Sequence, residues 1–574
     1  MTVGCHRVEC QARCAVDGAT AGPVRSIPAQ WAVPGSPRWS SRRSLVRPAR
    51  SGRPAPGLCG RDHPAPDDAP GSGHHDQVTR PEPETPSGRS TLAHTPLLAA
   101  WVAAREHHSP FTIPGHKRRA GAWGADLGVL LDGDVPLYGG LDTVKQEAGV
   151  LAAAEAAAAT LWGADWLRFS VGGSTHGNQA MALAVGRPGD TVLVARNAHR
   201  STLLGMVFAG LRPVWLPVET DPTFAVPTGI SSATLGAAIT EHPDAVAVLF
   251  TEPAYLGVTS DLPALIELTH TADMAAVVDQ AWGAHFGFAD GYPPHAIALG
   301  ADAMVLSVHK TLLGYSQACL VAARLDRFDA GRLDRAFEAG NTTSPAGTIL
   351  ASVDASRAVL AGPGPQLLRD LAQSVHAARA VLRSIPGVTV PGPEDFAPGR
   401  FDPAKLVVQV AGAGVDGIAV ERALAARGYP VEMADRDTVV PIVTMADPVA
   451  EVQRLVEALA REIRGAPAAP PRPVAVRRWP PGRQVLDPRT AFFAEQTTVG
   501  WQQAAGRVCA EVVAPYPPGV PVLLPGERID ADTVEMLRTL AAQGTRVAYA
   551  ADPSLHTFRV LVDDPSHSSA HHSP

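Results

Sequence analysis

The sequence predicts an α/β fold with a mainly parallel sheet covered by helices, joined to a small α+β subdomain and a C-terminal α+β domain. Two observations predict the sheet. Short apolar runs alternate with helical patterns from about residue 145 to 325. These runs are continuous rather than alternating in polarity, which is typical of strands buried on both faces of a parallel sheet. We therefore expect a site at the carboxyl ends of the strands.

The predicted elements follow one another along this α/β region. An amphipathic helix, TLAHTPLLAAWVAAREHH (91–108), and an alanine-rich helix, VKQEAGVLAAAEAAAATLWGA (144–164), come first. The predicted strands are then DWLRFSV (165–171), DTVLVA (190–195), RPVWLPV (212–218), AVAVLFT (245–251), AAVVD (275–279) and AMVLSV (303–308). Helical patterns separate these runs, as the crossover connections of a parallel sheet require.

Composition sets the remaining boundaries. Residues 1–90 are rich in Pro, Gly, Ser and Arg and are expected to form a disordered extension. The α/β domain is expected over 91–350, and a helical connection with a small βαββα unit over 351–464. A Pro-rich linker (465–484), the C-terminal domain (485–562) and a disordered tail (563–574) complete the expected organisation.

Bulk composition narrows the class of protein. The chain has 574 residues, 45% of them hydrophobic, and a net charge of −7. This charge argues against nucleic acid or an anionic membrane as the main partner. No apolar run reaches the roughly 18 residues of a membrane helix. We expect a protein that acts on a small molecule rather than on a polymer or a bilayer.

Cysteine usage gives two further expectations. The six cysteines are scattered, and four of them fall in the first 60 residues. A reduced, cytoplasmic setting fits this pattern best. Cys5, His6, Cys10 and Cys14 match no strong zinc-binding spacing, so no metal is expected.

A glycine turn follows the first strand of the α/β region. In SVGGSTHGNQA, Gly172 and Gly173 permit close backbone approach, and the helix that follows offers free N–H groups to an anion. The turn can be read as a phosphate site, or as an ordinary glycine turn with Ser174 capping the helix.

Chemistry-bearing residues end two neighbouring strands. Asp279 ends AAVVD, where it either caps the next helix or pairs with a cationic ligand atom. Ser307, His309 and Lys310 end AMVLSVHK. Only four of the 49 basic residues are lysine, namely Lys117, Lys145, Lys310 and Lys405. An amine in apolar surroundings is available as a nucleophile, which arginine is not, although a plain ion-paired lysine is the ordinary alternative.

Taken together, a phosphate-binding turn, a strand-end carboxylate and an amine indicate pyridoxal 5′-phosphate, which has a phosphate, a ring nitrogen and an aldehyde. Two histidines also lie near predicted strand ends or turns. His199 follows DTVLVA, and His116 lies in a Gly-Pro turn. Either of them is equally readable as structural.

Seven segments in order resemble the Orn/Lys/Arg decarboxylase family, whose members are pyridoxal phosphate enzymes of the aspartate aminotransferase fold (fold type I). They are FTIPGHKRRAG, FSVGGSTHGNQAM, ARNAHRS, TEPAYLGVTSDL, VDQAWGAHFGF, SVHKTLLGYSQA and NTTSPAGTILASVDASR. A later segment, GRVCAEVVAPYPPGVPVLLPGE, is similar to the family's C-terminal domain. The resemblance covers roughly residues 92–562.

The resemblance implies a role for each matching residue. Lys310 would bind the cofactor covalently, Asp279 would pair with the ring nitrogen, and His199 would stack on the ring. His309 would lie beside the covalent link, and Ala281 under the ring. The phosphate would be held by Gly173, Ser174, Thr175 and Ser307. Glu527, in the C-terminal domain, would meet the cationic end of the substrate.

The implied activity is decarboxylation of lysine, ornithine or arginine to CO2 and an amine, by a homodimer or a higher homo-oligomer. The chain departs from common family residues at Gln280, Ala254 and Leu256, so the substrate stays open. Another fold-type-I lyase or aminotransferase is a second interpretation. A cofactor-binding regulatory protein with little turnover is a third.

Overall fold

The computed structural model describes residues 94–105, 133–135, 149–467, 469–474, 482–516 and 519–562. The expected extension over 1–90, the expected tail, His116 and the Cys5–Cys14 segment lie outside the described residues.

A seven-stranded sheet forms the centre of the α/β domain. The first nine strands of the described chain are β1 (Trp166–Ser170), β2 (Thr191–Ala195), β3 (Arg212–Leu216), β4 (Glu219–Thr220), β5 (Pro227–Gly229), β6 (Ala247–Thr251), β7 (Ala275–Asp279), β8 (Ala303–Ser307) and β9 (Cys319–Ala323). The sheet has the order β1-β9-β8-β7-β6-β2-β3. Strands β3, β2, β6, β7 and β8 are parallel, whereas β9 and β1 are antiparallel at one edge.

The mainly parallel sheet and its six predicted strands are confirmed, with boundaries that differ by at most two residues. Strand β9 was not predicted. Its sequence, CLVAA, is short and contains two alanines, which have weak β propensity. It nevertheless lies fully buried between β8 and β1.

Helices cover the sheet and extend to the subdomain. They are α1 (Pro96–Arg105), α2 (Val150–Trp162), α3 (Gly173–Val185), α4 (Arg200–Ala209), α5 (Ser232–Glu241), α6 (Leu262–Thr271), α7 (Val308–Thr311), α8 (Ala330–Ala339), α9 (Gly347–Ala361) and α10 (Gly364–Arg383). Among the helices of the described residues, none has both the length and the apolar character to cross a bilayer.

Consecutive side chains along each strand pack into the apolar clusters on opposite faces of the sheet. On β2, Leu193 joins the larger apolar cluster, whereas Val192 and Val194 join the cluster on the other face. On β7 the same division separates Val278 from Val277. Because both faces are covered, both sets of side chains must be apolar, which explains the continuous apolar runs of the sequence.

Two smaller units follow the α/β domain. The first contains β10 (Val408–Gln409), α11 (Gly417–Ala426), β11 (Met433–Ala434), β12 (Thr438–Val440) and α12 (Val449–Gly465), with strand order β10-β12-β11. The second contains β13 (Arg483–Gln484), α13 (Pro488–Phe493), β14 (Gln496–Gly500), β15 (Ala514–Tyr516), β16 (Glu527–Arg528), α14 (Ala531–Ala542), β17 (Arg546–Ala548) and β18 (Thr557–Leu561). Its strands pair as β13-β16, β14-β18 and β15-β17.

Candidate active site

A cavity of about 480 Å³ opens at the carboxyl ends of β2, β6, β7 and β8. Parallel strands direct their carboxyl ends to one edge of the sheet, so residues distant in sequence meet there. Nine predicted site residues line this cavity: Gly173, Ser174, Thr175, His199, Asp279, Ala281, Ser307, His309 and Lys310.

The glycine turn shapes one end of the cavity. Gly173 has a φ of +66°, a conformation that favours glycine, and its N–H donates a 3.0 Å hydrogen bond to the carbonyl of Gln317. This conformation starts α3 and brings the Ser174 hydroxyl to 2.7 Å from the Ser307 hydroxyl at the end of β8. Two buried hydroxyls therefore converge beside a helix N-terminus, an arrangement that favours an anion.

The carboxylate of Asp279 is buried and held from two directions. Asn178, on α3, donates a 2.7 Å hydrogen bond from Nδ2 to Asp279 Oδ2. The N–H of Ala281 donates to Asp279 Oδ1 at 3.2 Å. Asp279 is only 7% exposed, and it lines the cavity. It therefore places a fixed negative charge at the end of β7.

His199 is connected to this carboxylate through two side chains. Its Nδ1 accepts hydrogen bonds from the N–H of Ser201 at 3.2 Å and from the Ser201 hydroxyl at 2.7 Å. Asn178 donates to the same hydroxyl oxygen at 2.9 Å, so the hydroxyl hydrogen points to the ring. The neutral imidazole then carries its hydrogen on Nε2. Burial lowers the pKa of His199, although Asp279 opposes the shift, and the neutral ring is favoured.

Lys310 lies on the short helix α7, directly after β8. Burial lowers the pKa of its amine, an effect that the negative charge of Asp279 partly opposes. Its Nζ is 4.3 Å from the ring centroid of Trp282, and Lys405 Nζ is at the same distance from the same ring. The amine of Lys310 thus faces the cavity in surroundings that disfavour the ammonium form.

His309 precedes Lys310 and is fixed by the backbone. Its Nδ1–H donates a 2.9 Å hydrogen bond to the carbonyl of Ala318, because a carbonyl oxygen only accepts. Burial lowers the pKa of His309, with the hydrogen bond to Ala318 opposing the shift. The neutral ring therefore leaves Nε2 without its hydrogen.

Aromatic rings form another wall of the cavity. Tyr255 meets Trp282 edge to face, with centroids 5.1 Å apart, and the C-terminal Tyr516 lies 6.1 Å from Tyr255. Gly519 and Val520, also C-terminal, complete the lining. The C-terminal unit is therefore part of the cavity and not merely attached beside it.

Asn178, Tyr255 and Trp282 contribute to the site and were not predicted from the sequence. Asn178 stands four positions after Ser174, which places both on one face of a helix. Trp282 stands three positions after Asp279. Both spacings can be read from the sequence. They indicate site residues only when the ends of the strands are known.

The structure gives Glu527 a different partner from the expected substrate. Both of its carboxylate oxygens bind Arg196, at 2.5 Å from Nη1 to Oε1 and 2.8 Å from Nη2 to Oε2. Glu527 is fully buried and is not among the residues that line the cavity. Within the described chain this carboxylate is therefore paired with Arg196, and the expected substrate contact stays a prediction.

Two of the three unusual residues point away from the cavity. The Gln280 side chain accepts a 3.0 Å hydrogen bond from the N–H of Ala296 and lies in the interior. Leu256 packs in an apolar cluster with Val258 and Phe401. Ala254 alone of the three lines the cavity, where its small side chain leaves room.

The fold and the site together define an α/β enzyme of fold type I, with its cavity at the strand ends. A family description, "Orn/Lys/Arg decarboxylase, major domain", matches residues 95–449, and that of the same family's C-terminal domain matches residues 483–547. The chain belongs to the Orn/Lys/Arg decarboxylase family and is an amino acid carboxy-lyase.

Curated relatives agree with this assignment, and a solved structure agrees with the fold. An arginine decarboxylase of Halalkalibacterium halodurans is 33% identical over 81% of this chain and 97% of its own length. One of Bacillus subtilis is 32% identical over 81% of this chain and 98% of its own length. The structure of lysine decarboxylase A from Pseudomonas aeruginosa superimposes with a TM-score of 0.69, covering 82% of this chain and 81% of the other at 20% identity. The last likeness concerns the fold alone.

Proposed function

We propose that this enzyme uses pyridoxal 5′-phosphate to decarboxylate a basic amino acid, with arginine preferred over lysine and ornithine. The observation that carries the proposal is the position of the Lys310 amine and the Asp279 carboxylate at adjacent strand ends of one cavity. The preference for arginine is supported by two relatives that match over nearly their full length and are named arginine decarboxylases.

The donor set fits this cofactor group by group. The hydroxyls of Ser174 and Ser307, beside the N-terminus of α3, suit a phosphate. The buried carboxylate of Asp279 suits a protonated ring nitrogen, and the amine of Lys310 suits an aldehyde. The imidazole of His199 and the methyl group of Ala281 both line the cavity, where they suit the two faces of a flat ring.

When bound, the cofactor supplies an electron sink for the pair left by breaking the bond between Cα and the carboxylate. Asp279 would keep a proton at the ring nitrogen, and Asn178 holds Asp279 in place. Lys310 Nζ accepts or returns a proton because burial brings its pKa down. The rings of Tyr255 and Trp282 limit the access of water from their side.

The test is CO2 release from arginine, lysine and ornithine by the purified enzyme supplied with pyridoxal phosphate. We expect release from arginine to exceed that from the other two, and to be lost in Lys310→Ala. No release from any of the three amino acids would contradict the proposed function. Faster release from lysine or ornithine would contradict only the preference.

We also propose that the enzyme works as a homodimer or a higher homo-oligomer. Leu313 and Tyr315, a few residues after Lys310, are 41% and 59% exposed in the single chain. A second copy covering them would bury apolar surface next to the cavity. Light scattering during size-exclusion chromatography should report at least twice the mass of one chain. A monomer would contradict this proposal.

A further inference from the structure

One guanidinium joins the two sides of the cavity that come from distant parts of the sequence. Arg196 follows β2, and it binds the carboxylate of Glu527 through two hydrogen bonds. It also donates from Nε to the carbonyl of Pro521 at 3.1 Å and from Nη2 to that of Val522 at 2.9 Å. Arg196 and Glu527 are 1% and 0% exposed as side chains, so the pair is shielded from solvent.

The residues beside this pair line the cavity on both sides. Asn197 directly follows Arg196 and His199 stands three positions after it, and Gly519 and Val520 directly precede Pro521. Glu527 further accepts a 2.9 Å hydrogen bond from the N–H of Leu524, which closes the loop on itself. The buried Arg196–Glu527 pair thus holds the loop 519–524 at the carbonyls of Pro521 and Val522 and at the N–H of Leu524.

A buried ion pair is weak evidence for stability, since desolvation offsets much of the attraction between the charges. Its geometric effect is more definite, because a bidentate arginine–carboxylate pair allows one relative orientation. The residues that fit the cofactor lie on the α/β domain, and Gly519 and Val520 are not among them. The C-terminal wall therefore borders the part of the cavity left for the substrate.

We propose that Arg196 and Glu527 are positioning residues that set the place of the Gly519–Val520 wall, and through it the fit of the substrate side chain. They act through the loop and touch neither the cofactor nor the reacting atoms. This inference rests on the proposed function for its substrate readout. The expected loss of order in the loop, by contrast, can be measured without any substrate.

The kinetic test compares Arg196→Lys and Glu527→Gln with the wild type on arginine, lysine and ornithine. We expect kcat/KM for the preferred substrate to fall about tenfold or more, mainly through KM, and the ratio between substrates to change. The matched control is Arg546→Lys. Arg546, in the C-terminal unit, also forms an ion pair with a glutamate of another unit, Glu421. Its side chain, however, is 57% exposed. This control should leave both quantities unchanged.

Hydrogen exchange of the amides in 519–524 tests the loop without substrate. We expect faster exchange in Glu527→Gln than in the wild type, and no change in Arg546→Lys. Unchanged exchange in a folded Glu527→Gln protein, or unchanged KM and substrate ratio in both variants, would overturn the inference.

If the Arg196 and Glu527 variants do not fold, Val520→Ala must change the substrate ratio, and an unchanged ratio would overturn the inference. Failure of the wild type to release CO2 would refute the proposed function and leave hydrogen exchange to decide on the loop.

Discussion

Asn178 donates a 2.7 Å hydrogen bond to the carboxylate of Asp279, so that a helix on one side of the cavity holds a charge at the end of a strand. The same amide nitrogen reaches Ser201, and through it the imidazole of His199. Two residues with separate proposed roles therefore share one orienting side chain.

Replacing Asn178 by alanine should reduce the activity while the protein stays folded. A hydrogen bond to a buried charge contributes about 1.5–3 kcal/mol, so we expect kcat/KM to fall by about tenfold or more. The matched control is Gln179→Ala, which changes the next, partly exposed residue of the same helix. Steady-state CO2 release measures both. Equal rates for the two variants would mean that Asn178 does not orient Asp279.

Gly177→Ala should destabilise the fold, because α3 lies close against the sheet at this position. An added Cβ would stand 2.6 Å from Val305 Cγ1 and 3.0 Å from Val321 Cγ2. Overpacking of this kind costs about 1–3 kcal/mol. Gly236→Ala, in α5, meets nothing within 4 Å and should stabilise slightly, by about 0.5–1 kcal/mol. Denaturant unfolding of both variants checks the opposite signs, and a neutral Gly177→Ala would contradict the close packing.

Glu252 should make the stability of the fold depend on pH. Burial raises the pKa of its carboxyl from 4.5 to about 7, although Ser260 donates two hydrogen bonds to it. Between these two pH values the folded state keeps a proton that the unfolded state has lost, so the free energy of unfolding falls as the pH rises through this window.

Relative to Glu252→Gln, the wild type should therefore lose on the order of 3 kcal/mol between pH 4.5 and 7. Chemical unfolding of both proteins across this range measures the difference. Glu241→Gln removes an exposed carboxylate instead and serves as the control. A difference between wild type and Glu252→Gln that does not change with pH would contradict the raised pKa.

The strand ends were predictable from the sequence because continuous apolar runs have clear limits. Asp279 and Lys310 follow such runs directly, so their meeting at one edge could be inferred from the rules of parallel sheets. Trp282 and Asn178 were not predicted, since their approach to Lys310 and Asp279 depends on side-chain packing that no local pattern encodes.

Glu527 was singled out from the sequence, but its ionic partner could not be predicted. A motif indicated that this carboxylate matters, and it gave no information on which charge lies opposite. The partner, Arg196, is 331 residues away in sequence. Such a pairing follows from how the C-terminal unit packs on the α/β domain, and neither periodicity nor composition reports that packing.

The most direct test of the account is to find which lysine binds the cofactor covalently. The purified enzyme with pyridoxal phosphate is reduced with borohydride, digested and examined by mass spectrometry, with Lys310→Ala and Lys405→Ala treated alongside. Lys405 is the stringent control because its amine lies at the same 4.3 Å from the Trp282 ring. We expect the phosphopyridoxyl group on Lys310 in the wild type and in Lys405→Ala, and none in Lys310→Ala. Attachment at Lys405, or a wild type that carries no adduct on Lys310, would contradict the account.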